Sequence, residues 1–236
     1  MKSPVETVKG RIVGYDHRAG ELLIRAPYDD WMTMTKREFK ECLVQPIDSR
    51  PLSDKQRRSC YALLREIAEY TGQGEDTTKE YMKLKFLVED MEQTSDKIFS
   101  LSNAPMSLVC AFQRYLVDFI LDWNIPTRFP LLNMVDDVEA YVYACLIHKK
   151  CAICGMPAEL HHHDRIGAGR NRDEIDQEGM LALPLCREHH TEAHDIGQQT
   201  FDGKYHIVPV PIDKTLMKIY GLRGKRKRVD QERRNA

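Results

Sequence analysis

The chain has 236 residues, of which 42% are hydrophobic and 30% charged, and its formal net charge is −1. These proportions are ordinary for a globular protein, and no apolar run approaches the roughly 20 residues that a membrane-spanning helix needs. The first ten residues lack the apolar stretch of a secretory signal, so the sequence predicts a cytoplasmic protein with no membrane partner. The number of cysteines, seven, is odd, which agrees with a reducing compartment where structural disulfides are rare.

The first predicted element is a β-hairpin. Residues 6–26 alternate apolar and polar positions around a turn near Arg18–Gly20. Residues 30–44 indicate a short helix or a second β-α element, and residues 47–51 a linker. The sequence therefore predicts a small β/α element over residues 1–46.

A helical region is predicted over residues 47–147. Its first helix begins at Ser53, which can form a capping box with Gln56, and ends at Gly72. Three further helices are predicted over about residues 78–91, 106–123 and 136–148, from apolar side chains at helical spacing. On the second helix the predicted apolar face consists of Tyr81, Leu84, Leu87, Val88 and Met91. Four cysteines in apolar or helical surroundings are predicted to be buried as small hydrophobic residues: Cys42, Cys60, Cys110 and Cys145.

Nine side chains that can bind a metal then fall within 44 residues. They are Cys151, Cys154, His161, His162, His163, Cys186, His189, His190 and His194. Six of the chain's nine histidines lie in this cluster, so it does not follow from average composition. The spacing predicts two kinds of site: two short pairs that suit a closed tetrahedral zinc, and further histidines that suit an open metal centre.

The predicted zinc group combines two pairs with the same spacing. Cys151 and Cys154 lie three residues apart and are followed by a glycine that completes a tight turn, while Cys186 and His189 repeat the spacing. Together they form a Cys3His set for a structural Zn²⁺.

The 31 residues between the two pairs are where we expect the chemistry. Residues 158–164 are predicted to form a strand that carries the three consecutive histidines, and residues 167–172 a flexible basic loop suited to a phosphate backbone. A helix is predicted over residues 187–196. His190 and His194 lie one turn apart on one face of it, a spacing at which two imidazoles can share an ion.

These residues resemble the HNH nuclease family, in a zinc-stabilised version of the ββα-metal fold. The motif AELHHHD…LPLCREHHTEAH carries the resemblance, which covers about residues 151–206. It implies an α+β protein whose C-terminal domain, residues 148–210, hydrolyses phosphodiester bonds with a divalent ion such as Mg²⁺, Mn²⁺ or Ni²⁺. By position, the resemblance makes His162 the general base, and the ligands of the catalytic ion are then His161, His190 and His194.

Two features depart from the family pattern. The triple histidine also allows a register in which His162 is the ligand and His163 the base. The family usually has an asparagine about five residues before the second pair, where it orients the base, but residues 179–182 contain none. Asn171 and Asp176 are candidates to replace it, and the alternatives are a reduced activity or a different way of orienting His162.

Several basic residues are predicted to contact DNA. On the loop and helices these are Arg165, Arg170, Arg172, Arg187, Lys55, Arg57 and Arg58. Residues 211–236 are predicted to be a basic tail: from position 221 onward it has seven lysines and arginines against two acidic residues, which is typical of a disordered segment attracted to phosphate.

A second resemblance concerns residues 50–125, which are similar to NinB/Orf-type phage recombination proteins. The residues that carry it begin with Pro51-Leu52-Ser53-x-x-Gln56-Arg57-Arg58. The whole chain resembles HNH nucleases of phages and prophages of Gram-positive bacteria. This implies a DNA endonuclease of phage recombination or replication in the cytoplasm of the bacterial host, acting on single-stranded or branched DNA. A second copy of the chain and other recombination or single-strand-binding proteins are the expected protein partners.

Two further hypotheses remain open from the sequence. The first is a non-catalytic recombination mediator that binds DNA through a degenerate HNH fold. The second is a zinc-stabilised module for protein interaction.

Overall fold

The computed structural model describes residues 9–27, 52–90, 98–163 and 177–222, and the single positions 32, 36, 44 and 50. The predictions for residues 30–44 and 167–172, for Cys42 and for most of the basic tail lie outside these ranges. The chain divides into two compact units, Met1–Ile47 and Asp48–Ala236. Within the described ranges, no helix is both long and apolar enough to cross a bilayer.

The described part of the first unit is an antiparallel hairpin of β1 (Arg11–Asp16) and β2 (Glu21–Arg25). Its turn is stabilised by Asp16, whose Oδ1 accepts hydrogen bonds from the backbone N–H groups of Arg18 (2.8 Å) and Ala19 (3.1 Å). The turn closes at Gly20, whose φ of 70° is readily accessible to glycine. The predicted hairpin is confirmed.

Four helices and a short 3-10 helix begin the second unit. They are α1 (Asp54–Thr71), α2 (Glu75–Glu89), α3 (Met106–Asp122), the 3-10 helix Leu131–Met134 and α4 (Val138–Ile147).

Helix α1 follows directly from its sequence signals. Ser53 Oγ accepts the N–H of Gln56 (3.2 Å), and the Gln56 side chain accepts the N–H of Ser53 (3.1 Å), which completes the predicted capping box. The helix ends at Gly72, in the left-handed conformation. Its predicted apolar residues face the core and are all buried: Cys60, Leu63, Leu64, Ile67 and Ala68.

The predicted buried face of α2 is only partly correct: Leu87 is buried as predicted, and Met91 lies outside the described residues. Three of the five predicted residues are among the exposed hydrophobic side chains: Tyr81 (56%), Leu84 (48%) and Val88 (53%). The buried side is formed by Leu87 together with Met82 and Phe86, and the last two are inaccessible to solvent. Phe86 packs against the rings of Phe99, Phe112 and Tyr115, with centroid distances of 5.4–6.1 Å. Apolar residues occur on both sides of this helix, so its periodicity alone did not determine which side is packed.

The C-terminal part has two strands and a helix, followed by smaller elements. In chain order these are β3 (Glu159–His162), β4 (Leu181–Leu185), α5 (Arg187–Ile196), α6 (Gln198–Tyr205), β5 (Val210–Pro211) and α7 (Lys214–Tyr220). The strands form an antiparallel sheet in the order β3-β4-β5, with β4 in the centre. The predicted bounds of α5 are confirmed.

One buried apolar cluster runs from the helical region into the C-terminal part, from Cys60 to Leu216. Hydrogen bonds reinforce this packing: the hydroxyl of Tyr141 on α4 donates to the carbonyl of Ala152 (3.0 Å), and that of Tyr220 donates to Leu146 (2.9 Å). The described residues therefore confirm a mixed α+β fold with an N-terminal β element, a helical middle region and a C-terminal ββα arrangement. The domain boundaries drawn from the sequence within residues 47–236 stay predictions.

Candidate metal centre

The fold brings Cys151, Cys154, Cys186 and His189 together, with their ligand atoms all within 4.8 Å of one another. The first pair lies in a turn closed by a hydrogen bond from the Gly155 N–H to the Cys151 carbonyl (2.8 Å), and Gly155 has a φ of 72°. The second pair lies at the start of α5, where Cys186 is the N-terminal cap. The sequence spacing therefore corresponds to a turn and a helix start that face each other.

The distances in this group fit a tetrahedral ion. With metal–sulfur and metal–nitrogen bonds of about 2.3 and 2.0–2.1 Å, a tetrahedron has edges of roughly 3.8 Å between two sulfurs and 3.6 Å between sulfur and nitrogen. Cys154 Sγ lies 3.7 Å from Cys186 Sγ, and Cys151 Sγ lies 3.7 Å from His189 Nδ1. The Cys186 Sγ to His189 Nδ1 distance is shorter, 3.1 Å. The four residues can hold a metal, and they agree with the tetrahedral geometry of a closed site.

The thiol of Cys186 has a lowered pKa. Burial raises this pKa, but hydrogen bonds with the backbone and side chain of His189 and with the side chains of Cys154 and Cys151 outweigh the effect and bring the pKa to about 7. A thiolate is the form that binds a metal. At neutral pH, Cys186 is thus close to its ligating form even in the metal-free chain.

A second group consists of His161 on β3 and His190 and His194 on α5, again with ligand atoms within 4.8 Å of one another. The ring centroid of His161 lies 4.5 Å from that of His190 and 5.1 Å from that of His194. The two helix rings are stacked, 4.9 Å apart. Strand β3 pairs with β4, and α5 follows β4 after one residue, so the ββα connection places the strand histidine against the helix pair.

The chemistry of this second group suits metal binding at neutral pH. Burial lowers the pKa of His161 to about 4, and it also lowers the pKa of His190. Both imidazoles are therefore neutral near pH 7, with a lone pair available to a cation. His161 is almost fully buried whereas His194 is exposed, so the group is open to solvent on one side. Three imidazoles that leave an open side fit a metal centre with room for water or substrate.

Gln198, at the start of α6, contacts His161. Its Nε2 lies 2.6 Å from the Nε2 of His161, and its Oε1 is buried without a hydrogen-bond partner in the described part of the chain. The two amide atoms exchange places when the amide turns by half a revolution. In that orientation Oε1 accepts the Nε2–H of His161, and Nδ1 of His161 keeps its lone pair.

The other two histidines of the triple each contact a different polar residue. His162 Nε2 lies 2.9 Å from Oε1 of Gln177, and His163 Nε2 lies 2.7 Å from a carboxylate oxygen of Asp202 on α6. The three-histidine group thus contains His161 and neither of these two. The roles assigned to all of them stay predictions.

The described basic residues predicted to contact DNA lie mainly at the start of α1. Lys55 pairs with Asp136 (2.7 Å), and Arg57 pairs with Asp54 (3.4 Å). Lys55 and Arg58 line an open groove of about 310 Å³, together with Arg65 and Arg128. The first residue of α5 is Arg187. Outside the described ranges are Arg165, Arg170, Arg172, Asn171 and Asp176.

Sequence reasoning missed Gln177, Gln198 and Asp202. Each is a single polar residue without a motif, and each reaches its histidine from 15 to 39 positions away. For two of them, the position in the chain was the one available signal: Gln177 lies just before a strand, and Gln198 lies at the start of a helix.

Comparison with known proteins gives one family and one curated relative. The sequence model of the family described as "Putative HNHc nuclease" matches residues 34–223. The chain is also 44% identical over 55 residues to "Uncharacterized protein YdfU" of Escherichia coli (strain K12). That match covers 23% of this chain and only 15% of the relative's own length. No solved structure matches the chain.

Proposed function

The chain belongs to the HNHc nuclease family, and on that premise we propose that it is a metal-dependent DNA endonuclease that hydrolyses phosphodiester bonds. The observation that carries the proposal is the convergence of His161, His190 and His194 within the ββα arrangement, beside a separate Cys3His group. A protein that needed metal only for folding would require the Cys3His group alone.

We assign the Cys3His group to a structural Zn²⁺. Three thiolates and one imidazole are donors that zinc prefers in closed sites. The group joins the turn at Cys151 to the start of α5, and α5 also carries His190 and His194. A bound zinc would therefore fix the helix that presents the catalytic histidines.

We assign His161, His190 and His194 to the catalytic ion, with Mg²⁺, Mn²⁺ and Ni²⁺ as candidates. When bound, a divalent cation supplies positive charge that stabilises the phosphate and the leaving oxygen as the reaction proceeds. His162 accepts a proton from water. The water oxygen forms a bond to phosphorus, the bond from phosphorus to the leaving sugar oxygen breaks, and that oxygen takes a proton from solvent.

The substrate would be held by basic residues of α1 and α5. Lys55, Arg57 and Arg58 at α1 and Arg187 at the start of α5 are the described candidates. Each of the two ion pairs has one well-exposed partner, Lys55 (76%) in one and Asp54 (81%) in the other, and such pairs are weak enough to exchange for phosphate contacts. The loop arginines, Arg165, Arg170 and Arg172, belong to the same proposal from the sequence alone. So does a role in phage recombination or replication, with single-stranded or branched DNA as substrate.

The test uses the purified full-length chain with single-stranded, duplex and branched DNA and each of the three divalent ions. We expect cleavage by the wild type, and a loss of roughly 10²- to 10⁴-fold in His162→Ala, the usual contribution of a general base. A His206→Ala variant is the matched control, because His206 lies in neither metal group. If wild type and His162→Ala leave every substrate equally intact, the enzyme hypothesis fails and the DNA-binding mediator becomes the better explanation.

A further inference from the structure

Gln177 is a buried polar residue in the approach to β4. Its relative exposure is 9%, and its Oε1 lies 2.9 Å from Nε2 of His162. The Gln177 carbonyl accepts the N–H of Met180 (3.2 Å), and the N–H of Gly179 donates to Ile212 (2.8 Å). The segment that carries the amide is thus attached to the sheet beside β5.

With the Gln177 amide oriented so that its Oε1 faces His162, the contact indicates which nitrogen of His162 is free. A carbonyl oxygen only accepts hydrogen bonds, so Nε2 must carry the hydrogen when it faces Oε1. In a neutral imidazole the other nitrogen, Nδ1, then holds the lone pair.

We propose that Gln177 is the positioning residue of His162, in place of the asparagine missing before the second metal pair, and that Nδ1 of His162 is the basic nitrogen. The inference rests on the proposed nuclease function. It concerns a residue that acts through another: Gln177 holds the imidazole in one orientation and one tautomer, so Nδ1 is the atom available to water.

The neighbouring His163 offers an internal comparison. It is held in a similar way by Asp202, through a carboxylate rather than an amide. If His163 were the base, Asp202 would be its positioning residue and Gln177 would matter only for packing. Variants of the two partners therefore separate the two assignments.

The kinetic test compares Gln177→Met, which keeps much of the side-chain length and removes the acceptor, with Gln177→Glu, which keeps an acceptor oxygen at the same reach. We expect Gln177→Met to lower kcat by roughly 10- to 100-fold, as loss of an orienting partner commonly does, with little change in KM. Gln177→Glu should retain most of kcat. A purely structural role predicts the opposite order, because methionine is tolerated in a buried position better than a carboxylate. Thermal melting followed by circular dichroism checks that both variants fold.

Full kcat in Gln177→Met would overturn the proposal, as would equal losses in both variants. A large loss in Asp202→Asn, without one in Gln177→Met, would assign positioning to the His163 pair instead.

A spectroscopic test does not need activity. In the full-length chain labelled with ¹⁵N-histidine and loaded with Zn²⁺, the ring nitrogen signals of His162 are identified by their absence in His162→Ala. We expect the Nε2–H tautomer alone in the wild type and a mixture of tautomers in Gln177→Met. An Nδ1–H tautomer in the wild type, or no change in the variant, would overturn the inference.

The outcomes distinguish a failure of the positioning role of Gln177 from a failure of the nuclease proposal. If the wild type cleaves DNA, His162→Ala does not, and Gln177→Met is fully active, only the positioning role fails. If the wild type cleaves nothing, the nuclease proposal fails, and the tautomer measurement still decides whether Gln177 fixes His162.

Discussion

The packing of α2 gives a sharp prediction because the sequence and the structure place partly different residues in the core. Phe86→Ala removes a side chain that is inaccessible to solvent and lies between three aromatic rings. Leu84→Ala is the matched control, since Leu84 lies on the same helix and is 48% exposed. Both changes substitute a hydrophobic residue with alanine, so helix propensity changes little.

The expected magnitudes differ several-fold. A buried phenylalanine withdraws about 150–250 Å² from water, which at about 25 cal/mol per Å² corresponds to roughly 4–6 kcal/mol as an upper bound. Measured substitutions of this kind usually cost about 3–5 kcal/mol. Leu84→Ala should lower the free energy of unfolding by roughly 0.5 kcal/mol or less, as surface substitutions do.

The assay is urea-induced unfolding followed by circular dichroism at constant zinc concentration, with both variants compared with wild type. For a unit of this size, the Phe86→Ala cost corresponds to a fall in Tm of roughly 6–20 °C. Equal costs for Phe86→Ala and Leu84→Ala, or a larger cost for Leu84→Ala, would refute the assigned face of α2 and restore the one suggested by periodicity.

Further predictions concern the metal groups, one ion pair and the tail. Cys186→Ser should abolish binding of the tightly held Zn²⁺, measured by elemental analysis, and lower Tm; an unchanged zinc content would contradict the Cys3His assignment. His190→Ala should abolish Mn²⁺ binding in calorimetry while leaving the zinc content intact, and retained Mn²⁺ affinity would remove His190 from the catalytic centre. The pKa of His148 is raised, chiefly by its hydrogen bond to Asp118, against the effect of burial. This pair therefore stabilises the folded chain below pH ~6.5 and loses its effect as the pH rises through the raised pKa. Asp118→Asn should cost about 0.5–1 kcal/mol in the free energy of unfolding at pH 6 and less at pH 9, and a cost independent of pH would argue against the ion pair. Removing residues 223–236 should weaken DNA binding and reduce its dependence on salt, measured by fluorescence anisotropy at several salt concentrations; an unchanged salt slope would exclude the tail as a phosphate contact.

Elements whose signals are local were predicted well. The capping box at Ser53 and the αL glycine at position 72 determine α1 because the groups that satisfy the helix ends lie within a few residues of those ends. The same holds for the hairpin turn at Asp16 and for α5, which begins after Cys186 and ends before Gly197. The i, i+4 spacing of His190 and His194 also follows from helix geometry alone.

The face of α2 could not be predicted in this way. Leu84 and Val88 repeat at helical spacing as well as Met82 and Phe86 do, so periodicity allowed two packed faces. The choice was made by the aromatic residues of other segments, Phe99 and Phe112, which surround Phe86. Lys83, on the buried side, is accommodated because its ammonium group contacts Glu80 (3.0 Å) and lies 5.6 Å from the centre of the Phe99 ring.

For the candidate site, the sequence by itself determined which residues can bind metal and how they divide into two groups, because ligand type and spacing within a turn or a helix are local properties. Only the tertiary structure brought His161 to the pair on α5, since that contact depends on the register of β3 against β4. It also supplied the partners of the three histidines, Gln198, Gln177 and Asp202, which come from separate segments of the chain. A hydrogen bond between residues distant in sequence has no spacing rule, so its partners become visible only when the chain is folded.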